Sequence, residues 1–206
     1  MTADVQIALM ARAAVPGQAK TRLIPRLGKA GAARLHAALT HHVLDRIGRA
    51  GLPATLWCEP DMEHPFFREC AERHAITLRQ QPSGDLGDRM LAIFEASRGP
   101  LLLMGSDCPA IDAGLLRDCA NALAHRPAVF LPTADGGYGL VGLRAPIAGI
   151  FRDMPWGTDQ VMAITRQRLS ALEMDWVEVA EIWDVDVPAD IDRLAATGFS
   201  IPLYED

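Results

Sequence analysis

Short apolar runs alternate with longer stretches of helically spaced apolar residues from one end of the chain to the other. Residues 5–9 (VQIAL) form the first strand-like run. Residues 29–50 then place Ala33, Leu35, Leu39, Val43, Leu44 and Ile47 at the spacing of one helix face, and Gly51 and Pro53 end that helix. The alternation continues with strands expected over 54–58 and 76–80 and helices over 64–73 and 88–97. Residues 100–105 (PLLLMG) are unbroken in their apolar character and run into SDCP, which suits a central strand buried on both faces with polar residues at its C-terminal end. A helix over 112–124 and a strand over 129–131 follow, and DGGYG, residues 135–139, leads into a strand over 140–143 that can return antiparallel as a hairpin. The spacing predicts a long helix over 158–172 capped by Thr158, a strand over 176–179, and a short helix over 189–196. The expected fold is α/β: a mixed, mostly parallel sheet of about seven strands with helices on both faces.

Bulk properties narrow the field. The 206 residues suit a single domain over 1–206, since no repeat, linker or low-complexity tract divides them. Half of the residues are hydrophobic, yet no apolar run approaches the roughly 18 residues of a membrane span. The N-terminal residues lack the basic and apolar regions of an export signal, so a cytoplasmic location without membrane association is expected. Cys58, Cys70, Cys108 and Cys119 show neither a CxxC pair nor zinc-ligand spacing and read as reduced core thiols. The net charge of −6, without a basic run, argues against a nucleic-acid polymer as partner, while a local basic loop can still bind a small phosphate. The histidines lack HxH or HxxxH spacing and are assigned no role.

Three segments carry candidate chemistry. Residues 11–28 (ARAAVPGQAKTRLIPRLG) follow the first strand with Arg12, Lys20 and Arg22 on a stretch opened by Gly17. Backbone N–H groups near a glycine, a lysine point charge and an arginine fork together suit a polyphosphate; a solvated basic loop is the plain alternative, and the Walker pattern is absent. Asp107, in GSDCP at the tip of the apolar central strand, can hold Mg2+ or Mn2+, its plain alternative being a helix cap. In WDVDVPAD, strand alternation would put Asp184 and Asp186 on one face, able to complete a metal site, whereas Asp190 falls in the first turn of the last helix and reads as structural. Two glycine-rich turns complete the set. PSGDLGDRM offers Gly84, Asp85 and Gly87 near a base or ribose; DGGYG offers Asp135, Gly136, Gly137 and Tyr138, with Trp156 of PWGTD as an opposite wall, to an acceptor.

Taken in order, MARAAVPGQAKTRLIPRLG, PSGDLGDRM, GSDCPAI, DGGYGLVGL, PWGTDQV and DVDVPADIDRL resemble a bacterial family of glycosyltransferase-A-fold transferases, relatives of 2-phospho-L-lactate guanylyltransferase and the molybdenum cofactor guanylyltransferase. The resemblance spans about residues 5–195. It implies a Rossmann-like nucleotide-diphospho-sugar transferase domain in which the loop from Arg12 to Arg22 binds phosphates, Asp107 holds the metal, Asp186 completes it, and the loop from Gly84 to Gly87 lies near the base. This chain departs from the usual KAPVPG opening, having Arg12 in place of the lysine and Ala14 in place of a proline. The substrates implied are a nucleoside triphosphate or a nucleotide-diphosphate sugar, with a small-molecule acceptor. The dense cations favour nucleotidyl transfer to a phosphate- or carboxylate-bearing acceptor, assisted by Lys20, Arg22, Asp107 and an orienting Asp135. Glycosyl transfer, with Asp135 or Asp159 as a base, is the alternative, and a non-catalytic nucleotide sensor the third reading.

Overall fold

The computed structural model describes residues 5–200. Seven strands form one sheet: β1 (Gln6–Arg12), β2 (Ala54–Glu59), β3 (Thr77–Gln80), β4 (Leu101–Gly105), β5 (Ala128–Pro132), β6 (Tyr138–Leu143) and β7 (Trp176–Glu178), in the order β3-β2-β1-β4-β6-β5-β7. All neighbouring pairs are parallel except those of β6, which runs antiparallel to both β4 and β5. The expected antiparallel member after DGGYG is therefore β6.

The helices are α1 (Ile24–Ala50), α2 (Pro65–His74), α3 (Leu86–Glu95), α4 (Ala113–His125), α5 (Val161–Ala171) and α6 (Pro188–Ala196). Apolar residues of α1, α2 and α4, among them Val43, Phe67 and Leu123, pack with Leu9, Leu56, Leu102 and Val129 on one face of the sheet. On the other face Ile93 and Phe94 of α3 and Met162 and Leu169 of α5 pack with Leu103, Phe130 and Val141. Strand residues of opposite parity thus feed two separate core layers, which is why Leu101 to Met104 are all buried. A third cluster joins Leu35 and Leu39 of α1 to Val185, Ile191 and Leu194, so that α6 docks beside α1.

Two local expectations are corrected. The fifth helix starts at Val161, not residue 158: Thr158 sits in the preceding turn, where its hydroxyl donates to the Pro155 carbonyl at 2.8 Å and accepts from Gln160 N at 3.4 Å, and Gln160 takes the cap position. WDVDVPAD is not a strand. Only Ile182, just before it, bridges to Thr133, and the chain then crosses to the end of β4, where Val185 N donates to Asp107 O at 2.9 Å. Elsewhere the boundaries differ by a few residues at most, and α1 carries a kink at Gly28 immediately before residue 29, where the periodic pattern begins.

Candidate functional site

Ligands of open α/β sheets bind beyond the C-terminal ends of the parallel strands. There, Arg12 ends β1, Glu59 ends β2, Asp107 follows β4, and two adjoining cavities open. The smaller, about 230 Å3, is lined by Arg12, Gln18 to Arg22, His36, Asp107 and Asp186. The larger, about 560 Å3, shares Arg12 and Asp107 and extends past Gln81, Leu86 and Arg89 to the β5–β6 hairpin and Trp156.

The smaller cavity is organised by Lys20. Its backbone is left-handed (φ 48, ψ 47), which turns the side chain inward until only 4% is exposed. Its ammonium stands 2.9 Å from Asp107 Oδ2 and donates to the Val185 carbonyl. One buried cation therefore ties together the phosphate-loop candidate, the tip of β4 and the late acidic segment, and places Asp107 and Asp186 on one cavity without any strand between them. Burial pushes the Asp107 carboxyl up, but Lys20 and His36 more than offset this and hold it below the usual carboxylate range. Asp107 caps no helix. That role belongs to Asp112, whose Oδ1 accepts from Leu115 N at 2.8 Å, so the plain alternative for Asp107 fails.

The remaining loop cations are exposed and paired. Arg22 meets Asp186, Arg12 meets Glu59 at 3.3 Å, and Arg26 meets Asp192. Gly17 shapes the loop (φ 83) without lining either cavity. Asp184 is half-buried, and its carboxyl is pushed up to about 6 by burial and then by Asp135, with Asp186 adding to the effect. Asp190 is structural as expected: its Oδ2 accepts from Asp186 N and Val187 N at 2.9 and 2.7 Å.

At the PSGDLGDRM turn, the cavity wall is made by Gln81, Leu86, Arg89 and Met90, and Gly84, Asp85 and Gly87 are not part of it. Asp85 caps α3 through a reciprocal pair with Asp88. Gly87 is a packing position, since a Cβ there would stand 2.4 Å from the Phe151 carbonyl. At the hairpin, Asp135, Gly137 and Tyr138 line the large cavity together with Trp156. Gly136 turns away (φ 89), and a Cβ on it would meet the Asp159 carbonyl at 2.1 Å, so only glycine lets the hairpin lie against that segment. Asp135 Oδ1 accepts from the Thr133 hydroxyl and from Gly137 N, which fixes the carboxylate. Tyr138 and Trp156 meet edge to face at 6.4 Å, and the Tyr138 hydroxyl and Trp156 Nε1 are buried without hydrogen-bond partners.

Four wall residues escaped the sequence reading. Glu59 accepts from both Arg12 and Arg89, at 3.3 and 3.1 Å, and its place directly across from Arg12 in the β1–β2 register was a signal available once the strands were paired. Gln81 donates through Nε2 to Ala11 O and Trp57 O, which leaves its side-chain oxygen as the acceptor. Arg89 follows from the same Glu59 pairing. His36, inside α1, has no local signal and is brought in only by the packing of α1 against the sheet.

Nothing in the described residues forms a group of three or more His, Cys, Asp and Glu side chains able to hold a metal. Nor is any described helix long and apolar enough to cross a membrane.

Comparison with known proteins agrees with the fold. The chain is similar, at 26% identity and a TM-score of 0.86, to a protein from Desulfovibrio desulfuricans G20 proposed to be a nucleotide-diphospho-sugar transferase, over 95% of this chain and 88% of that one. A cytidylyltransferase from Leptospira borgpetersenii serovar Hardjo-bovis (strain JB197) shares the fold at 12% identity and a TM-score of 0.65, over 98% and 90% of the two chains. A nucleotidyl transferase from Methanothermobacter thermautotrophicus does so at 14% identity and a TM-score of 0.63, over 94% and 96%. No curated protein matches the sequence. Residues 43–158 match a family described as "Uncharacterized protein conserved in bacteria (DUF2064)", and the chain belongs to that family.

Proposed function

We propose that this chain is a cytoplasmic transferase that binds a nucleotide's phosphates in the smaller cavity and carries out nucleotidyl transfer to an acceptor in the larger one. The observation that supports it is the Lys20 latch, which joins the cationic loop and two carboxylates around one cavity at the C-terminal edge of the sheet. Three cations and two carboxylates line that cavity, so it carries a positive surplus suited to a phosphate chain. Arg22 and Arg12 are themselves exposed and can exchange their carboxylate partners for phosphate oxygens, whereas Lys20 stays fixed and orients Asp107. An ionised phosphate or carboxylate acceptor attacks the α-phosphorus unaided, pyrophosphate leaves, and the arginines offset the developing charge.

The donor set fits a hard divalent cation, Mg2+ or Mn2+. Asp107 and Asp186 offer oxygen ligands on the cavity wall, and Asp184 lies between Val185, whose carbonyl accepts from Lys20, and the Ile182 bridge. Asp107 with Asp186 or Asp184 would hold such an ion, which supplies charge neutralisation at the phosphates when bound. With only two such residues lining the cavity, phosphate and water oxygens fill the remaining ligand positions.

One observation favours glycosyl transfer from a nucleotide-diphosphate sugar as a second reading. On the wall made by the β5–β6 hairpin and residues 156–161, Asp135 is the one charged residue lining the cavity. A neutral sugar or hydroxyl acceptor suits that wall better than an anion does.

The two reactions differ in what they release. Incubation with each nucleoside triphosphate, beginning with GTP because of the resemblance to guanylyltransferases, and with nucleotide-diphosphate sugars, followed by 31P NMR, tests the choice. Pyrophosphate from a triphosphate supports nucleotidyl transfer; release of nucleoside diphosphate from a sugar donor alone supports glycosyl transfer. Failure of every nucleotide to bind would defeat both.

A further inference from the structure

Arg12, Glu59 and Arg89 line the larger cavity as a linked row. Arg12 directs Nε and Nη2 at Glu59 Oε2, at 3.4 and 3.3 Å, while Arg89 Nη1 stands 3.1 Å from Glu59 Oε1. The two arginines are not held alike. Arg12 has a side chain 54% exposed and belongs to the phosphate cavity as well, whereas Arg89 is 26% exposed and also donates through Nε to the Gly84 carbonyl at 2.9 Å. When Arg12 turns to a phosphate, Arg89 therefore keeps Glu59 in place, and Glu59 Oε2 loses its donor. Glu59 is itself only 26% exposed, so a donor from a bound molecule replaces that loss better than open water does.

We infer that Glu59 Oε2 accepts a hydrogen bond from a ribose hydroxyl, so that the site takes ribonucleotides in preference to deoxyribonucleotides. The inference rests on the reading of the smaller cavity as the phosphate site, and it applies to a triphosphate or a nucleotide-diphosphate sugar alike. In either molecule the ribose follows the phosphates directly, and Glu59 is the carboxylate paired with Arg12, the arginine that both cavities share. The hairpin end of the larger cavity is assigned to the acceptor, which leaves the end made by Glu59, Gln81 and Leu86 for the nucleoside. Leu86 there is exposed, an apolar surface for a base, and Gln81 is pinned through Nε2 to Ala11 O and Trp57 O. A ribose hydroxyl is a donor that a carboxylate binds with charge assistance, and an analogue lacking it leaves Glu59 Oε2 unpaired.

The test measures, by calorimetry on the full chain with Mg2+, the affinities for inorganic tripolyphosphate, for ATP, GTP, CTP and UTP, and for their 2′-deoxy and 3′-deoxy forms. The tightest-binding ribonucleotide should exceed at least one of its deoxy forms by about tenfold or more, the weaker form identifying the hydroxyl. Glu59→Met should bring that ratio below about threefold while tripolyphosphate binds as tightly as to the parent, or tighter, because Arg12 then has no carboxylate to leave. Loss of tripolyphosphate binding together with the ratio would show that Glu59 only holds the arginines, and would overturn the inference. Glu59→Gln keeps an uncharged acceptor and should give an intermediate ratio, which serves if the methionine variant does not fold. Equal affinities of the parent for ribo and deoxy forms, with tripolyphosphate bound, would overturn the inference and leave the phosphate site standing. A ribonucleotide preference that persists in Glu59→Met would place the recognition elsewhere and overturn it as well. No binding of tripolyphosphate or of any nucleotide would remove the phosphate site, and the inference with it.

Discussion

Replacing Lys20 by methionine keeps much of the side-chain volume and removes the charge that joins three segments. Breaking a fully buried ion pair costs about 3–5 kcal/mol and breaking an exposed one about 0–1 kcal/mol. Here the lysine is 4% exposed and its partner Asp107 is 44% exposed, so water can re-solvate the carboxylate but cannot readily replace the donor to the Val185 carbonyl. The expected loss therefore lies between the limits, at about 2 kcal/mol, or roughly 4–8 °C in Tm for a chain of this size. The assay is thermal unfolding of Lys20→Met, Asp107→Asn and the double variant at pH 7.5 and low salt. Because the two side chains are in contact, the double variant should be less damaged than the sum of the singles by about 1–2 kcal/mol. A Tm for Lys20→Met within about 1 °C of the parent, or strictly additive losses, would refute the latch.

Other outcomes follow from the same geometry. Arg22→Ala removes an exposed ion pair, so it should cost under about 1 kcal/mol of stability while weakening nucleotide binding by about tenfold or more; calorimetry showing unchanged affinity alongside a large fall in Tm would make Arg22 structural. The Asp184 carboxyl, raised to about 6, binds its proton more tightly in the folded than in the unfolded chain, so its contribution to stability falls as pH rises from about 4 through 6 and is at its worst above that. Asp184→Asn should therefore stabilise the metal-free protein at pH 7.5 by about 1 kcal/mol, discounted for partial exposure, and change little at pH 4; destabilisation at pH 7.5 would contradict this. Burial pushes the Cys58, Cys70 and Cys119 thiols up to about 12 and raises that of Cys108, so none should react with a thiol reagent at pH 8 until denaturant is added. Rapid labelling of the native protein would count against this burial.

The sheet was legible because its strands carry their own signal. PLLLMG needs apolar contacts on both faces whatever its neighbours are, and DGGYG between two apolar runs admits little besides a hairpin. The late acidic segment misled because alternation of Asp and Val is the same in any extended backbone; what settles its path is the reach of Val185 to Asp107 and of Lys20 to Val185. Thr158 resembled a cap in sequence, but its hydroxyl closes a turn, donating to the Pro155 carbonyl and accepting from Gln160 N, before the helix begins. The loop cations were visible and their partners were not: Glu59, Asp186 and Asp192 lie 47, 164 and 166 residues away from Arg12, Arg22 and Arg26. Likewise nothing local separates His36 from His41 or His42, and only the approach of α1 to the end of β4 turns its ring toward Asp107.

The most direct measurement is a crystal structure of the full chain with a bound nucleoside triphosphate and Mn2+. The account predicts phosphate oxygens in the cavity of Arg12, Lys20 and Arg22, with Arg22 released from Asp186 onto the phosphates and the metal on Asp107. Nucleotide phosphates bound anywhere else, with the Arg22–Asp186 pair intact and Asp107 contacting neither metal nor ligand, would contradict it.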